Sequence, residues 1–303
     1  MHTLNRLFMR HILMAATLLA LAGTVKAAQP EPAVEVTFYA PSIVHVQKTW
    51  GKQKPEKESL SAVMGRQDVY VKTKTDGITT SRNSNVLCVK VTGTKVEFYD
   101  NGGKLLLREG GYSISPASDM ADAPASQTFL LDGNEPIYGL GILQEGRMDM
   151  RGTDRRMIQG NTDDYCNIVQ SIKGYGLFWD NCSPTTFTSD RDHFEFRSER
   201  GGMVDYYFIY GKTGTQDDAN ADGVIAGIRQ LTGSVPMLPL WSYGFMQSRE
   251  RYKSSAELLQ VLTKYRETGV PIDCMIQDWQ YWGSNYLWNA MEFNNPDFDR
   301  PQK

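Results

Sequence analysis

The sequence predicts a multidomain protein of the α+β class, in which an antiparallel β-sandwich is followed by a βαβ unit. Residues 34–39 and 89–91 alternate between apolar and polar side chains, as half-buried strands do. Pro236 and Pro239 then interrupt any regular element and mark a domain boundary. Beyond them the apolar side chains follow a helical spacing between two strand-like runs, which indicates a change of architecture.

The first 27 residues are typical of an export signal. Arg6 and Arg10 precede an apolar run over residues 12–23, and residues 25–27 form a small-residue cleavage site. An uncleaved membrane anchor is the alternative, but the run is shorter than the roughly 20 residues that cross a bilayer. We therefore expect cleavage after Ala27, a periplasmic or extracellular protein, and no membrane span after signal cleavage.

Residues 28–235 are predicted to form the sandwich domain from short strands joined by turns. Residues 95–107 fit a hairpin, because its turn at 100–103 is rich in Asn and Gly, which tolerate the positive φ of tight turns. The runs 176–179 and 206–210 fit further strands. Many short strands with turns between them favour a large β-sandwich.

Residues 236–303 are predicted to begin a second domain with one βαβ unit. A strand over residues 241–247 precedes a helix that Ser254 caps, with Glu257 three residues later. The run 270–277 forms the second strand, which a helical crossover places parallel to the first. Such a unit begins either a doubly wound sheet or a (β/α)8 barrel, and the segment is too short to complete a barrel of about 250 residues.

The composition of the chain excludes several classes of function. A net charge of −3 without a basic block argues against nucleic-acid binding. Four scattered cysteines lack the spacing of a zinc site, and only His45 and His193 remain after signal cleavage. We therefore expect carboxylate chemistry, with neither a metal ion nor an organic cofactor.

One carboxylate follows the second strand of the predicted βαβ unit. Asp278 is followed by Trp279, Tyr281 and Trp282, at the strand end where barrel enzymes place their active sites. It could accept hydrogen bonds from substrate hydroxyls within an aromatic wall, or it could cap a helix beside core aromatics. Arg249, at the end of the first strand, could frame the same pocket or form a surface ion pair.

A polar loop in the sandwich, residues 159–165, carries Asp163. Such a loop could reach a neighbouring domain. The alternative is a set of Asx turns, in which Asn and Asp side chains bond to their own backbone.

The motifs along the chain resemble, in order, those of glycoside hydrolase family 31, the α-glucosidases and α-xylosidases. The matching segments are 138–141, 174–181, 231–233, 241–252 and 271–283. The resemblance covers nearly the whole mature chain. It implies that residues 236–303 begin a (β/α)8 catalytic barrel that is incomplete here, and that the protein is a retaining exo-α-glycosidase of α-xylosidase or α-glucosidase type with a plant-type oligosaccharide substrate.

The resemblance also implies roles for individual residues. Asp278 would bond the sugar at the non-reducing end, and Asp163 would reach over the barrel mouth towards the leaving group. Trp279, Trp282 and Arg249 would complete the substrate-binding set.

The family's nucleophile and acid/base are two aspartates about 5 Å apart, and both lie on later barrel strands. No residue up to Lys303 is therefore predicted to be catalytic, and we expect this chain alone to be inactive. The segments 144–147 and 159–163 resemble bacterial α-xylosidases more than starch-type enzymes. The alternative to a hydrolase is a non-catalytic carbohydrate-binding β-sandwich protein.

Overall fold

The computed structural model describes residues 31–50, 58–114, 119–212 and 219–298. The chain divides into two compact units, unit 1 up to Ser234 and unit 2 from Val235. The predicted signal sequence lies outside the described residues.

Unit 1 is built from two antiparallel sheets, which confirms the predicted sandwich. The six-stranded sheet contains, in spatial order, β1 (Ala33–Ala40), β2 (Ile43–Thr49), β15 (Met203–Tyr210), β12 (Tyr175–Trp179), β11 (Asp164–Ser171) and β9 (Ile137–Ile142). The nine-stranded sheet contains β10 (Asp154–Met157), β13 (Thr185–Ser189), β14 (His193–Ser198), β8 (Ala125–Leu130), β7 (Leu105–Ile114), β6 (Lys95–Asp100), β5 (Leu87–Thr92), β4 (Thr79–Asn83) and β3 (Lys72–Asp76).

Strand β15 shows how side-chain alternation fixes the register of the six-stranded sheet. Tyr206 and Phe208 point into the main core, where Phe208 stacks on Phe98 of the other sheet at a ring separation of 3.9 Å. Tyr207 and Ile209 point to the opposite face and join a second apolar cluster. A one-residue slip would exchange the two sets, so burial of both faces specifies the register strongly.

The second cluster is covered by helix α1 (Ala221–Thr232), which the strand-and-turn prediction for this region missed. Asn220 caps the helix, and its side chain accepts a hydrogen bond from the first turn. Val224, Ile228 and Leu231 follow helical spacing and supply its apolar face. The helix lies against β15, so the six-stranded sheet is covered on its outer face as well as its inner one.

Unit 2 contains the predicted βαβ arrangement. Strand β16 (Met246–Arg249) is joined to strand β17 (Cys274–Gln277) through helix α2 (Ser255–Glu267), and the two strands pair in parallel. Ser254 caps α2 as predicted, since its hydroxyl accepts a hydrogen bond from the backbone N–H of Glu257 at 3.1 Å. Two 3-10 helices, Asn285–Leu287 and Pro296–Phe298, follow β17.

The first strand of this unit is shorter than predicted. A 3-10 helix occupies Leu240–Tyr243, and the strand begins only at Met246. The backbone N–H and the hydroxyl of Ser242 both donate to the carbonyl of Pro239, at 3.0 and 2.6 Å, so the chain after the proline turns instead of extending. The assignment of residues 241–245 to a strand was therefore wrong.

Across the described ranges, no helix combines the length and apolar character needed to cross a membrane.

Candidate functional site

The carboxyl ends of β16 and β17 form one edge of unit 2. Arg249 and Gln277, the last residues of the two strands, are direct neighbours in the parallel register. The loops that follow them, residues 250–253 and 278–283, therefore leave the sheet side by side. This is the edge at which parallel α/β proteins place their ligands.

The side chain of Gln277 joins these two loops. Its amide nitrogen donates to the backbone carbonyls of Tyr252 at 3.0 Å and Trp279 at 2.8 Å. Its amide oxygen accepts from the backbone N–H of Tyr252 at 3.2 Å. Both polar atoms of the amide are therefore used to hold the loops together. The sequence predicted the carboxylate of Asp278 at this edge, but it did not predict that the side chain of Gln277 connects the two loops.

Asp278 follows this joint directly, and its side chain is exposed. It does not cap the next helix: Ser284 does so, because its hydroxyl accepts from the backbone N–H of Tyr286 at 3.2 Å. The helix-capping alternative therefore does not apply, and the carboxylate faces solvent at the strand edge. Its role in binding sugar stays a prediction.

The aromatic residues that follow Asp278 in the sequence form a cluster. Trp279 is half-buried and lies 5.4 Å from the ring of Trp288, while the Arg251 guanidinium stands 5.0 Å from the centre of the Trp279 ring. Trp282 is only 3 % exposed and packs edge-on against Tyr281. The buried Trp282 supports the cluster. Trp288, which the sequence prediction did not single out, contacts the rings of Trp279 and Trp282 and is 61 % exposed.

Arg249 is exposed at the end of β16. Its guanidinium donates to Glu257 on α2 at 3.2 Å and stands 5.4 Å from the centre of the Tyr252 ring. The surface ion pair foreseen as the alternative is thus present, and such pairs contribute little to stability. The predicted contact of Arg249 with substrate is an additional role that stays a prediction.

Asp163 lies in unit 1, half-buried, immediately before β11. The loop that carries it is closed by Gln159, whose amide oxygen accepts from the backbone N–H of Tyr165 at 2.7 Å and whose amide nitrogen donates to its carbonyl at 2.9 Å. Burial, and then the negative charge of Asp163, raise the pKa of Tyr165, whose hydroxyl is hydrogen-bonded to that carboxylate. The loop is therefore an ordered platform, and the reach of Asp163 towards substrate stays a prediction.

These side chains can bind a polar ligand. Carboxylate oxygens accept hydrogen bonds from hydroxyl groups, and exposed indole rings pack against apolar faces. Within the parts of the chain that the structure describes, no three His, Cys, Asp or Glu side chains are grouped so that they could hold a metal ion. All four cysteines, which lie in these parts, are free.

Comparison with family models matches each of the two units to a known domain. Residues 33–187 match the glycosyl hydrolase 31 N-terminal galactose mutarotase-like domain, and residues 235–303 match the glycosyl hydrolases family 31 TIM-barrel domain. A mutarotase-like sandwich followed by parallel barrel strands defines a TIM-barrel glycoside hydrolase. The chain belongs to glycoside hydrolase family 31, as its motifs predicted.

Curated relatives point to α-glycosidases. An α-xylosidase of Saccharolobus solfataricus is 33% identical over 281 residues, which cover 89% of this chain and 37% of that enzyme. Alpha-glucosidase 2 of Bacillus thermoamyloliquefaciens is 26% identical over 82% of this chain and 32% of that protein. The chain thus spans about a third of the length of these relatives.

Solved structures show the same fold. A family 31 α-xylosidase from Xanthomonas citri superposes with a TM-score of 0.79 at 20% identity, over 91% of this chain and 46% of that one. A family 31 dextranase from Flavobacterium johnsoniae, solved with isomaltotriose, superposes with a TM-score of 0.74 at 20% identity, over 90% of this chain and 34% of that one.

Proposed function

We propose that this chain is part of a retaining exo-α-glycoside hydrolase of α-xylosidase or α-glucosidase type, acting on plant-type oligosaccharides. The observation that carries the proposal is the exposed Asp278 at the carboxyl end of β17, inside the segment that matches the family's barrel model. The named relatives support both sugar types, and the α-xylosidase is the more similar of the two quoted above.

In this proposal Asp278 accepts hydrogen bonds from hydroxyls of the non-reducing-end sugar. A hydrogen bond to a charged group typically contributes about 1.5–3 kcal/mol. Trp279 forms the aromatic wall, the buried Trp282 supports it, and Arg249 frames the rim. Asp163, in unit 1, is a further sugar-binding carboxylate.

Hydrolysis with retention needs two further carboxylates about 5 Å apart, one to attack the anomeric carbon and one to protonate the leaving oxygen. We propose that both lie beyond Lys303, on later barrel strands. The 303-residue chain then holds part of the substrate site but not the reacting groups. It should bind a sugar weakly and release none.

The experiment combines an activity assay with a binding assay on the purified chain. Hydrolysis of aryl α-xyloside and α-glucoside should stay at the level of the buffer, whereas calorimetry should detect binding of xylose or glucose. Asp278→Asn should weaken this binding. Asp297→Asn, an exposed carboxylate in the same unit, is the matched control. Hydrolysis by the purified chain would contradict this assignment of the reacting groups.

The export signal forms a separate part of the proposal. We propose that residues 1–27 direct the protein out of the cytoplasm and are removed, because a basic start, an apolar run and a small-residue site follow one another. N-terminal sequencing of the protein recovered from the periplasm or medium should begin at Ala28. Recovery of the intact N-terminus from the cytoplasm alone would contradict export.

A further inference from the structure

A cavity of about 480 Å³ opens on the outer face of the six-stranded sheet in unit 1. This volume lies within the roughly 300–1,000 Å³ of small-molecule sites. None of the five predicted sugar-binding residues lines it. The lining residues include Tyr39, His45, Gln47, Asp180, Asp205 and Tyr207.

Three rings form one part of its wall. His45 and Tyr207, direct neighbours across β2 and β15, stack at a ring separation of 4.1 Å. Tyr39 meets both edge-on, at 5.5 Å from His45 and 5.4 Å from Tyr207. Aromatic rings of this kind combine an apolar body with a polar tip, so they can pack against C–H groups while their hydroxyls bond.

Next to the rings lies a buried polar group centred on Asp205. One carboxylate oxygen lies 2.6 Å from Nε2 of His45, and the other accepts from the amide of Gln47 at 3.0 Å. Asp205 is 3 % exposed and Asp180, a further carboxylate in the lining, is also 3 % exposed. Buried carboxylates are stable only where hydrogen bonds hold them, and His45 and Gln47 supply two such contacts to Asp205.

The charges of the lining residues limit which ligands the cavity can bind. It contains the carboxylates of Glu58, Asp180 and Asp205, and among the described residues no lysine or arginine contributes to it. An anionic ligand such as a phosphate or a uronate would meet repulsion. A neutral polyol suits the site, because its hydroxyls can donate to the carboxylates and accept from the ring and amide donors.

The rim of the cavity is fixed in place. The hydroxyl of Ser59 accepts from the backbone N–H of Ala62 at 2.8 Å. The backbone N–H groups of Val63 and Met64 both donate to the carbonyl of Leu231, at the end of α1. The cavity is therefore pre-formed, which reduces the entropy that ligand binding would cost.

We propose that this cavity is a second carbohydrate-binding site, for a single neutral sugar ring such as xylose or glucose. The rings of Tyr39 and Tyr207 contact the ring C–H groups of the sugar. Asp180, Asp205 and Gln47 bond its hydroxyls. The site lies wholly in unit 1 and does not depend on the proposed role of Asp278.

The test blocks the cavity without touching its polar groups. Ala62→Phe places a ring at the rim, and Leu60→Phe, at an exposed position that does not line the cavity, is the matched control. Saturation-transfer NMR with xylose and with glucose is measured on the full chain carrying Asp278→Asn, so that unit 1 dominates the signal. We expect Ala62→Phe to raise the Kd about tenfold or more, equivalent to about 1.4 kcal/mol, and Leu60→Phe to leave it unchanged.

Two results would overturn the proposal. One is sugar binding that Ala62→Phe leaves unaltered. The other is a cavity that takes up choline, as an aromatic cage for cations would, but neither sugar. Thermal unfolding of both phenylalanine variants must match the parent. If Ala62→Phe unfolds, Tyr39→Leu, which removes the ring that contacts the sugar, replaces it and should weaken binding. The proposed barrel site is tested separately, by comparing sugar binding in a chain that carries Ala62→Phe alone with binding in a chain that carries both Ala62→Phe and Asp278→Asn.

Discussion

The ammonium nitrogen of Lys48 lies 2.7 Å from a carboxylate oxygen of Glu109, and both side chains are completely buried. Gln127 accepts from the same ammonium at 2.7 Å, and the hydroxyl of Tyr206 donates to the other Glu109 oxygen at 2.7 Å. Burial lowers the pKa of Lys48 and raises that of Glu109, while the opposite charge of the partner resists each shift. The two sheets of unit 1 are thus joined by a polar network inside an apolar core.

Removing one partner of this pair should destabilise unit 1 strongly. Lys48→Met leaves the Glu109 carboxylate buried without its cation, which typically costs about 3–5 kcal/mol. Adding Glu109→Gln removes the charge, keeps one acceptor oxygen for the backbone N–H of Val96, and places an amide NH2 that can donate to the hydroxyl of Tyr206. We expect the double variant to recover at least half of the loss in urea unfolding. A double variant as unstable as Lys48→Met alone would show that the charge is not the cause.

Two buried phenols should make the protein sensitive to alkali. Burial, and then the charge of Glu109 or Glu135, raise the pKa of Tyr206 and Tyr175 well above 10. Because the folded pKa lies above the unfolded value, the protonated phenol is favoured in the fold, so the stabilisation is complete below pH 10 and is lost as the pH rises. Each phenol should then cost about 1.4 kcal/mol per pH unit above about pH 10.

The measurement is urea unfolding at several pH values between 9 and 11. Tyr206→Phe should lose stability less steeply above pH 10 than the parent, whatever its stability at pH 7. Tyr70→Phe, at a position 86 % exposed, should keep the parent slope. Identical slopes for all three proteins would contradict the assignment.

The sandwich was predictable because side-chain alternation and turn residues are local signals. Helix α1 was missed for a physical reason: its apolar positions lie among Gly223 and Gly227, which lower helix propensity, and packing on β15 compensates. The placement of Asp278 also rested on a local signal, because the residue directly follows an apolar strand. The contacts made by the Gln277 side chain could not be predicted from a local signal, because its partner Tyr252 is 25 residues away along the chain.

The close approach of α1 to Gly211, the residue after β15, predicts an unusual glycine effect. A Cβ on Gly223 would lie 1.7 Å from the carbonyl oxygen of Gly211, a backbone atom that cannot rotate away. Gly223→Ala should therefore destabilise unit 1 by about 1–3 kcal/mol, although alanine favours a helix by up to about 1 kcal/mol. Gly65→Ala, where a Cβ meets nothing within 4 Å, should be neutral or stabilising. Equal melting temperatures for the two variants would refute close packing of α1.

The joint at Gln277 predicts a local loosening of the strand edge. Gln277→Glu keeps the shape of the side chain, but a carboxylate cannot donate to the carbonyls of Tyr252 and Trp279 and would repel both. Losing these partly buried hydrogen bonds should cost about 1 kcal/mol, and the cost should fall on residues 250–253 and 278–281. Hydrogen exchange should accelerate there and not in α2.

Gln260→Glu, the same change at an exposed position of α2, is the matched control for this joint. It should leave exchange in both loops unchanged. If Gln277→Glu also leaves exchange unchanged, the loops do not depend on the joint, and the position of Asp278 must be set by the aromatic cluster around Trp282. If exchange accelerates only around residues 278–281, the contact with Trp279 is the part of the joint that holds the Asp278 backbone, and the contacts with Tyr252 are secondary.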